Sequence, residues 1–340
     1  MKKVSIVILN WNGQKLLEQF LPSVVKHSQR DDTEIVVVDN FSTDNSICFV
    51  SSTYPQIRII SLTKNYGYAG GYNKALSEIE AEYFILLNSD VEVTNKWLDT
   101  IIEYLDNNTN VAALQPKILS YREKEYFEYA GAAGGFIDKY GYPFCRGRIF
   151  GTIEKDLGQH DTPTDIFWAS GACLVIRKKD FHDAGEFDLS FFAHMEEIDL
   201  CWRLNTLGKK IVCLPQAIVY HLGGATLSTK NPRKTFLNFR NNLLMLYKNL
   251  PEKDIQKTLR MRRILDYVAA LQMLLTGNIK NAKAILAAYR ELKKILPDYE
   301  NIRKENISKA KIKVIKTIYP KGLIRAYYLK GKKTYNKLQF

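Results

Sequence analysis

The sequence predicts an α/β fold built on a mostly parallel sheet, continued by a basic helical region at the C-terminus. Three features carry this reading. Short apolar runs alternate with helical segments through the first third of the chain, the pattern of βαβ units. The runs end on polar residues: Asn10, Asp39 and Asn88-Ser89-Asp90. The charge also changes sign along the chain. Residues 1–230 hold 23 Lys and Arg against 29 Asp and Glu, and residues 231–340 hold 26 against 7.

The elements follow in order. Val4 to Leu9 is a nearly continuous apolar run, as expected of a strand buried on both faces. Leu16, Leu17, Phe20, Leu21, Val24 and Val25 mark an amphipathic helix. Glu34 to Asp39 is a second strand, and Ser42-Thr43-Asp44 reads as a helix start. Strands are expected at Ile57–Leu62, Tyr83–Asn88 and Val111–Leu114, with a helix from about Trp97 to Leu105. Residues 119–165 have poor periodicity and read as an insertion or long loop near the site. Ile166 to Ile176 reads as a strand broken at Gly171, Glu197 to Leu207 as a helix, and Lys210–Leu214 and Ala217–Tyr220 as two strands. From Pro232 onward the pattern is helical. The division this suggests is a catalytic-type domain over 1–228 and a basic amphipathic region over 229–340.

Composition narrows the class. The 340 residues are 46% hydrophobic and 25% charged, which excludes disordered and collagen-like chains. Five scattered cysteines with no C-x-x-C pair point to neither a zinc ribbon nor a disulfide framework, and so to a reduced, cytoplasmic setting. No run approaches the 18 apolar residues of a membrane span, and the short run at Val4–Leu9 is not that of a signal peptide.

In open α/β sheets ligands bind beyond the carboxyl ends of the strands. Asp39 or Asp90 alone is equally well explained as a helix cap. Together on one sheet edge they suit chemistry: one carboxylate accepting a pyrimidine N3–H, another holding a Mg²⁺ or Mn²⁺ that bridges phosphates, with Asn88 assisting. Asn65 to Asn73, with Gly67, Gly70 and Gly71, precedes a helix whose N-terminus could receive an anion, or simply makes a tight turn. Glu196 and Glu197 open a helix, where acidic residues are favourable, or else supply a general base. Asp199 and Arg203 form an orienting i,i+4 pair. His221 ends a strand before a glycine turn, a position from which imidazole could complete a metal site.

Taken in order, these segments resemble family 2 inverting glycosyltransferases, in particular the bacterial rhamnosyltransferase-like subgroup. The matching stretches are Val4–Gly13, Ile35–Asp44, Asn65–Asn73, Leu86–Asp90, Trp168–Ala172, Gly185–Asp188, Glu196–Arg203 and His221–Gly224. The resemblance implies a GT-A fold and a nucleotide-diphosphate sugar donor, UDP- or dTDP-linked, with dTDP-rhamnose among the candidates. It implies donor binding by Asn10, Asn12, Asp39, Asn65, Gly67, Gly71 and Asn88, with Asp39 on the pyrimidine. It makes Asp90 and His221 the holders of a divalent cation, Mg²⁺ or Mn²⁺. It makes Glu197, beside Glu196, the base that deprotonates a hydroxyl of a glycan or lipid-linked acceptor.

The C-terminal third has Ile264, Val268, Leu271 and Leu275 at helical spacing, then Ile279, Ala282, Leu286, Tyr289 and Leu296 on a second face beside Lys280, Lys283, Arg290 and Lys294. Residues 301–340 hold 12 Lys and Arg against one Glu. These helices either pack on the catalytic domain or lie on an anionic membrane. The expectation is a cytoplasmic protein held peripherally on the inner face of the cell membrane, with no nucleic-acid partner. The rival reading is a nucleic-acid- or nucleotide-binding protein that uses the basic tail without transfer activity. No nucleic-acid motif supports it.

Overall fold

The computed structural model describes residues 2–223 and 231–340. The chain forms β1 (Lys2–Asn10), α1 (Gln14–His27), β2 (Thr33–Asp39), α2 (Ser46–Thr53), β3 (Arg58–Ser61), α3 (Gly67–Leu76), β4 (Ala81–Asn88), β5 (Val91–Val93), α4 (Trp97–Asn107) and β6 (Val111–Ser120). An insertion carries β7 (Gly135–Asp138), β8 (Pro143–Cys145), β9 (Arg148–Ile149), β10 (Thr152–Ile153) and β11 (Thr164–Asp165). Then come β12 (Cys173–Arg177), α5 (Lys178–Asp183), α6 (Glu196–Thr206) and β13 (Lys210–His221). The C-terminal region is α7 (Pro232–Asn249), α8 (Glu252–Leu275), α9 (Ile279–Ile295), α10 (Glu300–Lys309) and β14 (Ile318–Tyr319).

The main sheet has the order β11-β13-β6-β12-β4-β1-β2-β3, with β5 on β13. β1 to β4 are parallel, and β12 runs antiparallel between β4 and β6. The chain winds outward from β1 through β2 to β3, then crosses to β4 on the other side. The switch in strand order lies between β1 and β4, where Leu9 pairs with Asn88 and Asn10 with Asp39. Alternate side chains explain the apolar runs. Val7, Phe84 and Leu86 enter the core on one face, and Ile6, Ile8, Ile85 and Leu87 pack with α1 and α4 on the other.

Several expectations are corrected. α2 begins at Ser46, because Ser42 to Asp44 form a loop whose Asp44 Oδ1 accepts the Ser46 N–H. The strand expected from Ile166 shrinks to Cys173–Arg177, with Trp168 instead bridging to Gly135. The two strands after Lys210 are one, carrying a register shift between Leu214 and Ile218. Pro215, which has no N–H to pair, sits in that shift. The insertion is not a loop. Four of its strands form a second sheet with β14 of the C-terminal region, ordered β10-β9-β8-β7-β14, while β11 joins the main sheet beside β13.

The helical reading of the C-terminus holds to Lys309 and fails beyond it. There the chain returns as β14, parallel to β7, and a π-helical turn at Arg325–Leu329. The reason is aromatic: Tyr319, Tyr335 and Phe340 pack on Phe136 and Phe144 of the insertion. Leu243 to Leu246 of α7 and Leu292 of α9 share the core that holds β4 and β12. The expected boundary at 228/229 and Gly224 of the glycine turn lie outside the described residues.

Candidate active site

At the carboxyl edge of the sheet the expected residues form three groups. In the first, Asp90 Oδ1 lies 3.1 Å from His221 Nε2, and Asn88 Nδ2 lies 3.5 Å from the same nitrogen. β5 pairs with β13, matching Val91 to His221, and this brings Asp90 and His221 together from positions 131 residues apart. A partner that the sequence did not reveal completes the group. Glu128 Oε1 stands 3.4 Å from His221 Nδ1, and its Oε2 accepts the Ala130 N–H at 2.6 Å. Glu128 lies in the unpatterned insertion, so no periodicity marked it. Burial alone would lower the basicity of His221, but hydrogen bonds and charge from Asp90 and Glu128 lift its pKa to about 10.

The donor set suits a hard divalent cation. Asp90 supplies a carboxylate oxygen, and His221 Nε2, here hydrogen-bonded to that oxygen, would serve as a ligand only after giving up its proton. Among the described residues no group of three or more His, Cys, Asp or Glu side chains is arranged to hold a metal ion, so the protein would supply Asp90 and His221 and the remaining positions would fall to phosphate oxygens and water.

In the second group, Asn10 donates from Nδ2 to Ser46 Oγ at 2.9 Å, while its buried Oδ1 has no partner among the described residues. Asp39 Oδ1 accepts the Ser42 N–H at 3.1 Å. Asn12, at φ 51°, accepts the Thr43 N–H at 2.7 Å and so ties the two strand-end loops together. Asn65 accepts the Gly67 N–H at 2.8 Å, and both are fixed by buried Asn40, which donates to Asn65 Oδ1 and Gly67 O. Asn40 was visible within Ile35–Asp44 but had no assigned role.

The start of α3 is not open to an anion. Asn65 takes the Gly67 N–H, and Phe192 O takes those of Tyr68 and Ala69. Gly67 adopts φ +72°, where a Cβ would meet Phe192 O at 2.5 Å. A Cβ on Gly71 would meet the Leu9 side chain at 2.8 Å. These glycines let α3 pack closely against Phe192 and Leu9.

The third group is the carboxylate pair. Glu196 and Glu197 open α6 after Phe192, His194 and Met195, all at positive φ. Non-glycine residues in that region carry strain, which clusters at functional sites. Burial pushes the Glu197 carboxyl up to about 7. It pushes the Glu196 carboxyl well above its ordinary value too, aided by the charge of Glu197. Oε2 of each is buried without a partner among the described residues. Tyr68 joins this pair to the sheet edge. Its phenol lies near both carboxylates and donates to Gly171 O at 2.8 Å, and the next residue, Ala172, accepts the Asn88 N–H.

Asn241 of α7 is a second residue the sequence did not reveal. Its Nδ2 faces the carbonyls of Phe191, Ala193 and His194 at 2.7–3.0 Å, holding the strained loop from behind. It carries no sequence signal of its own, since it is one of several amides along α7. Asp199 and Arg203 form the expected orienting pair: Arg203 bonds Asp199 and the carbonyls of Ala184 and Glu186, and Lys248 of α7 bonds Asp199 at 2.8 Å.

The Glycosyl transferase family 2 model matches residues 5–185, more than half of the chain. The chain belongs to glycosyl transferase family 2. The match ends before Glu196, Glu197 and His221, so their assignment rests on the geometry above. The chain is 26% identical over 234 residues to the N-acetylglucosaminyl-diphospho-decaprenol L-rhamnosyltransferase of Mycobacterium tuberculosis, covering 64% of this chain and 75% of that enzyme. It is 24% identical over 246 residues to the low-salt glycan biosynthesis hexosyltransferase Agl10 of Haloferax volcanii, covering 71% and 74%. The fold matches S. aureus TarS 1–349 in complex with UDP-GlcNAc, with TM-score 0.55 at 15% identity over 90% of this chain and 89% of that one. It also matches GalNAc-T7 with UDP, GalNAc and Mn²⁺, with TM-score 0.57 at 14% identity over 88% and 58%. This family 2 glycosyltransferase therefore has the GT-A fold expected of it.

Proposed function

We propose that this glycosyltransferase moves a sugar, with inversion, from a UDP- or dTDP-linked donor to a hydroxyl of a cell-surface glycan or lipid-linked acceptor. The observation that carries the reading is the pairing of Asp90 with His221 at the carboxyl edge of the sheet, together with a buried Glu197 carboxyl raised to about 7. The relatives named for a decaprenol-linked rhamnosyl transfer and for glycan biosynthesis support the acceptor class and keep dTDP-rhamnose among the donors.

Asp39 accepts the N3–H of the pyrimidine, with Asn10 and Asn12 shaping the loops around it. Asp90 and His221, with Asn88 beside them, would hold a Mg²⁺ or Mn²⁺, which would offset charge on the departing diphosphate. Glu197 takes the proton of the acceptor hydroxyl as that oxygen forms its bond to the anomeric carbon. The carbon–oxygen bond to the diphosphate breaks on the opposite face, which inverts the centre without a covalent intermediate. A pKa near 7 suits a general base at neutral pH. Glu196, the more buried of the two, lies beside it at the start of the helix.

No described helix is long and apolar enough to cross a membrane. The basic C-terminal third supports a peripheral position on the inner face of the cytoplasmic membrane. Four of five free cysteines are buried, in keeping with a reducing compartment. The carboxylates on the sheet edge would repel a nucleic-acid backbone and disfavour the rival reading. The test is a thermal-shift screen of UDP-, dTDP- and GDP-sugars with Mn²⁺, followed by transfer to lipid-linked acceptors. Stabilisation by one donor class and an inverted product are expected. No response to any sugar nucleotide would overturn the reading.

A further inference from the structure

We propose that the α8–α9 hairpin is the surface that docks on an anionic lipid bilayer. The proposal deepens the membrane part of the functional reading and is tested without any transfer assay. One side of α8 is fixed to the protein. Ile255, Thr258, Arg262, Asp266 and Ala270 are buried; Arg262 donates to Tyr140 O, and Asp266 accepts from Tyr142 and Tyr289. The opposite side is bare. Ile264, Val268, Leu271 and Leu275 follow each other at steps of four, three and four and are 58%, 61%, 55% and 81% exposed. The same stripe continues backward through exposed Lys257 and Arg260, so a basic half leads into an apolar half. Gly277, at φ +78° in open space, turns the chain, and α9 begins with exposed Ile279, Lys280 and Lys283.

Charge selects the occupant. Between residues 255 and 290 the one acidic side chain is Asp266, which is buried against Arg262. Every exposed charge there is basic. A second copy would bring like charges together, and a nucleic acid would leave the leucines in water. An anionic bilayer meets both halves of the stripe. From Ile264 to Leu275 the apolar half is about 16 Å long at 1.5 Å per residue, far short of the roughly 30 Å hydrocarbon core, so the hairpin lies in the interface. In the tail at 310–340, Tyr319, Tyr335 and Phe340 pack on the insertion, while Val314, Tyr328 and Leu329 stay exposed as scattered residues and not as a helical stripe.

Flotation with vesicles tests this, using pure phosphatidylcholine and a two-to-one mixture with phosphatidylglycerol. The full-length chain should bind the mixed vesicles and bind pure phosphatidylcholine at least about ten-fold more weakly, since each basic residue near an anionic surface adds roughly a kcal/mol. Leu271→Glu/Leu275→Glu and Lys257→Glu/Arg260→Glu should each lose about ten-fold or more, with melting temperatures unchanged. Lys311→Glu/Lys313→Glu in the tail should lose less than about two-fold. Indole emission of Leu271→Trp should shift blue on the mixed vesicles. Equal binding by the hairpin variants, no blue shift, or indifference of the native chain to anionic lipid would overturn the proposal. So would a dimer in sedimentation that Leu271→Glu/Leu275→Glu abolishes, which would assign the face to a second copy.

Discussion

Burial raises the carboxyl pKa of both Glu196 and Glu197, and at Glu196 the charge of its neighbour adds to the effect. A carboxyl whose pKa is higher in the folded than in the unfolded chain contributes stability that is complete below its unfolded pKa and lost as pH rises through the folded one. For Glu197 that window runs from about 4.5 to about 7. Glu197→Gln should therefore melt higher than the native chain at pH 8, by the equivalent of up to about 3 kcal/mol, and match it near pH 4. The same variant should lose roughly 10²–10⁴-fold in turnover. Melting curves across pH, with transfer rates at pH 8, check both. A variant less stable at pH 8 than the native chain would refute the buried-carboxylate account. Two adjacent glutamates beside an apolar run were legible in the sequence. Glu128 was not, because its role comes only from the pairing that sets it against His221.

The elements divide the labour of holding that turn. α7 buries polar as well as apolar residues, and it spends Asn241 on three loop carbonyls and buried Lys248 on Asp188 and Asp199. Asn241→Ala should leave donor affinity within about two-fold and lower turnover by 10- to 100-fold, the scale of a misplaced catalytic group. Calorimetry and steady-state rates separate the two effects. Equal loss of donor binding would mean that Asn241 supports the whole cleft and not the base alone. Lys248→Ala leaves Asp199 buried without its lysine and should cost about 3–5 kcal/mol in denaturant unfolding. From the sequence α7 reads simply as helix. Its function lies in polar residues that point inward, which a helical period cannot distinguish from polar residues that point to water.

The parallel half of the molecule was legible because strands buried on both faces write continuous apolar runs, and because Asn10, Asp39 and Asp90 mark where those runs stop. The insertion was illegible because strands of two to four residues carry no period. Their order comes from Tyr319, Tyr335 and Phe340, far along the chain. Truncation after Lys309 should expose Phe136 and Phe144 and lower the melting temperature by several degrees or abolish soluble expression. An unchanged melting temperature would mean the tail is dispensable. The central claim is that one sheet edge binds a nucleoside diphosphate through Asp39 and a divalent cation through Asp90 and His221. Calorimetric titration of UDP and dTDP, with and without Mn²⁺, tests it most directly. The account predicts Mn²⁺-dependent binding, weakened by about 1–3 kcal/mol in Asp39→Ala and stripped of its Mn²⁺ dependence in Asp90→Ala. Binding indifferent to Mn²⁺ and unchanged in both variants would contradict it.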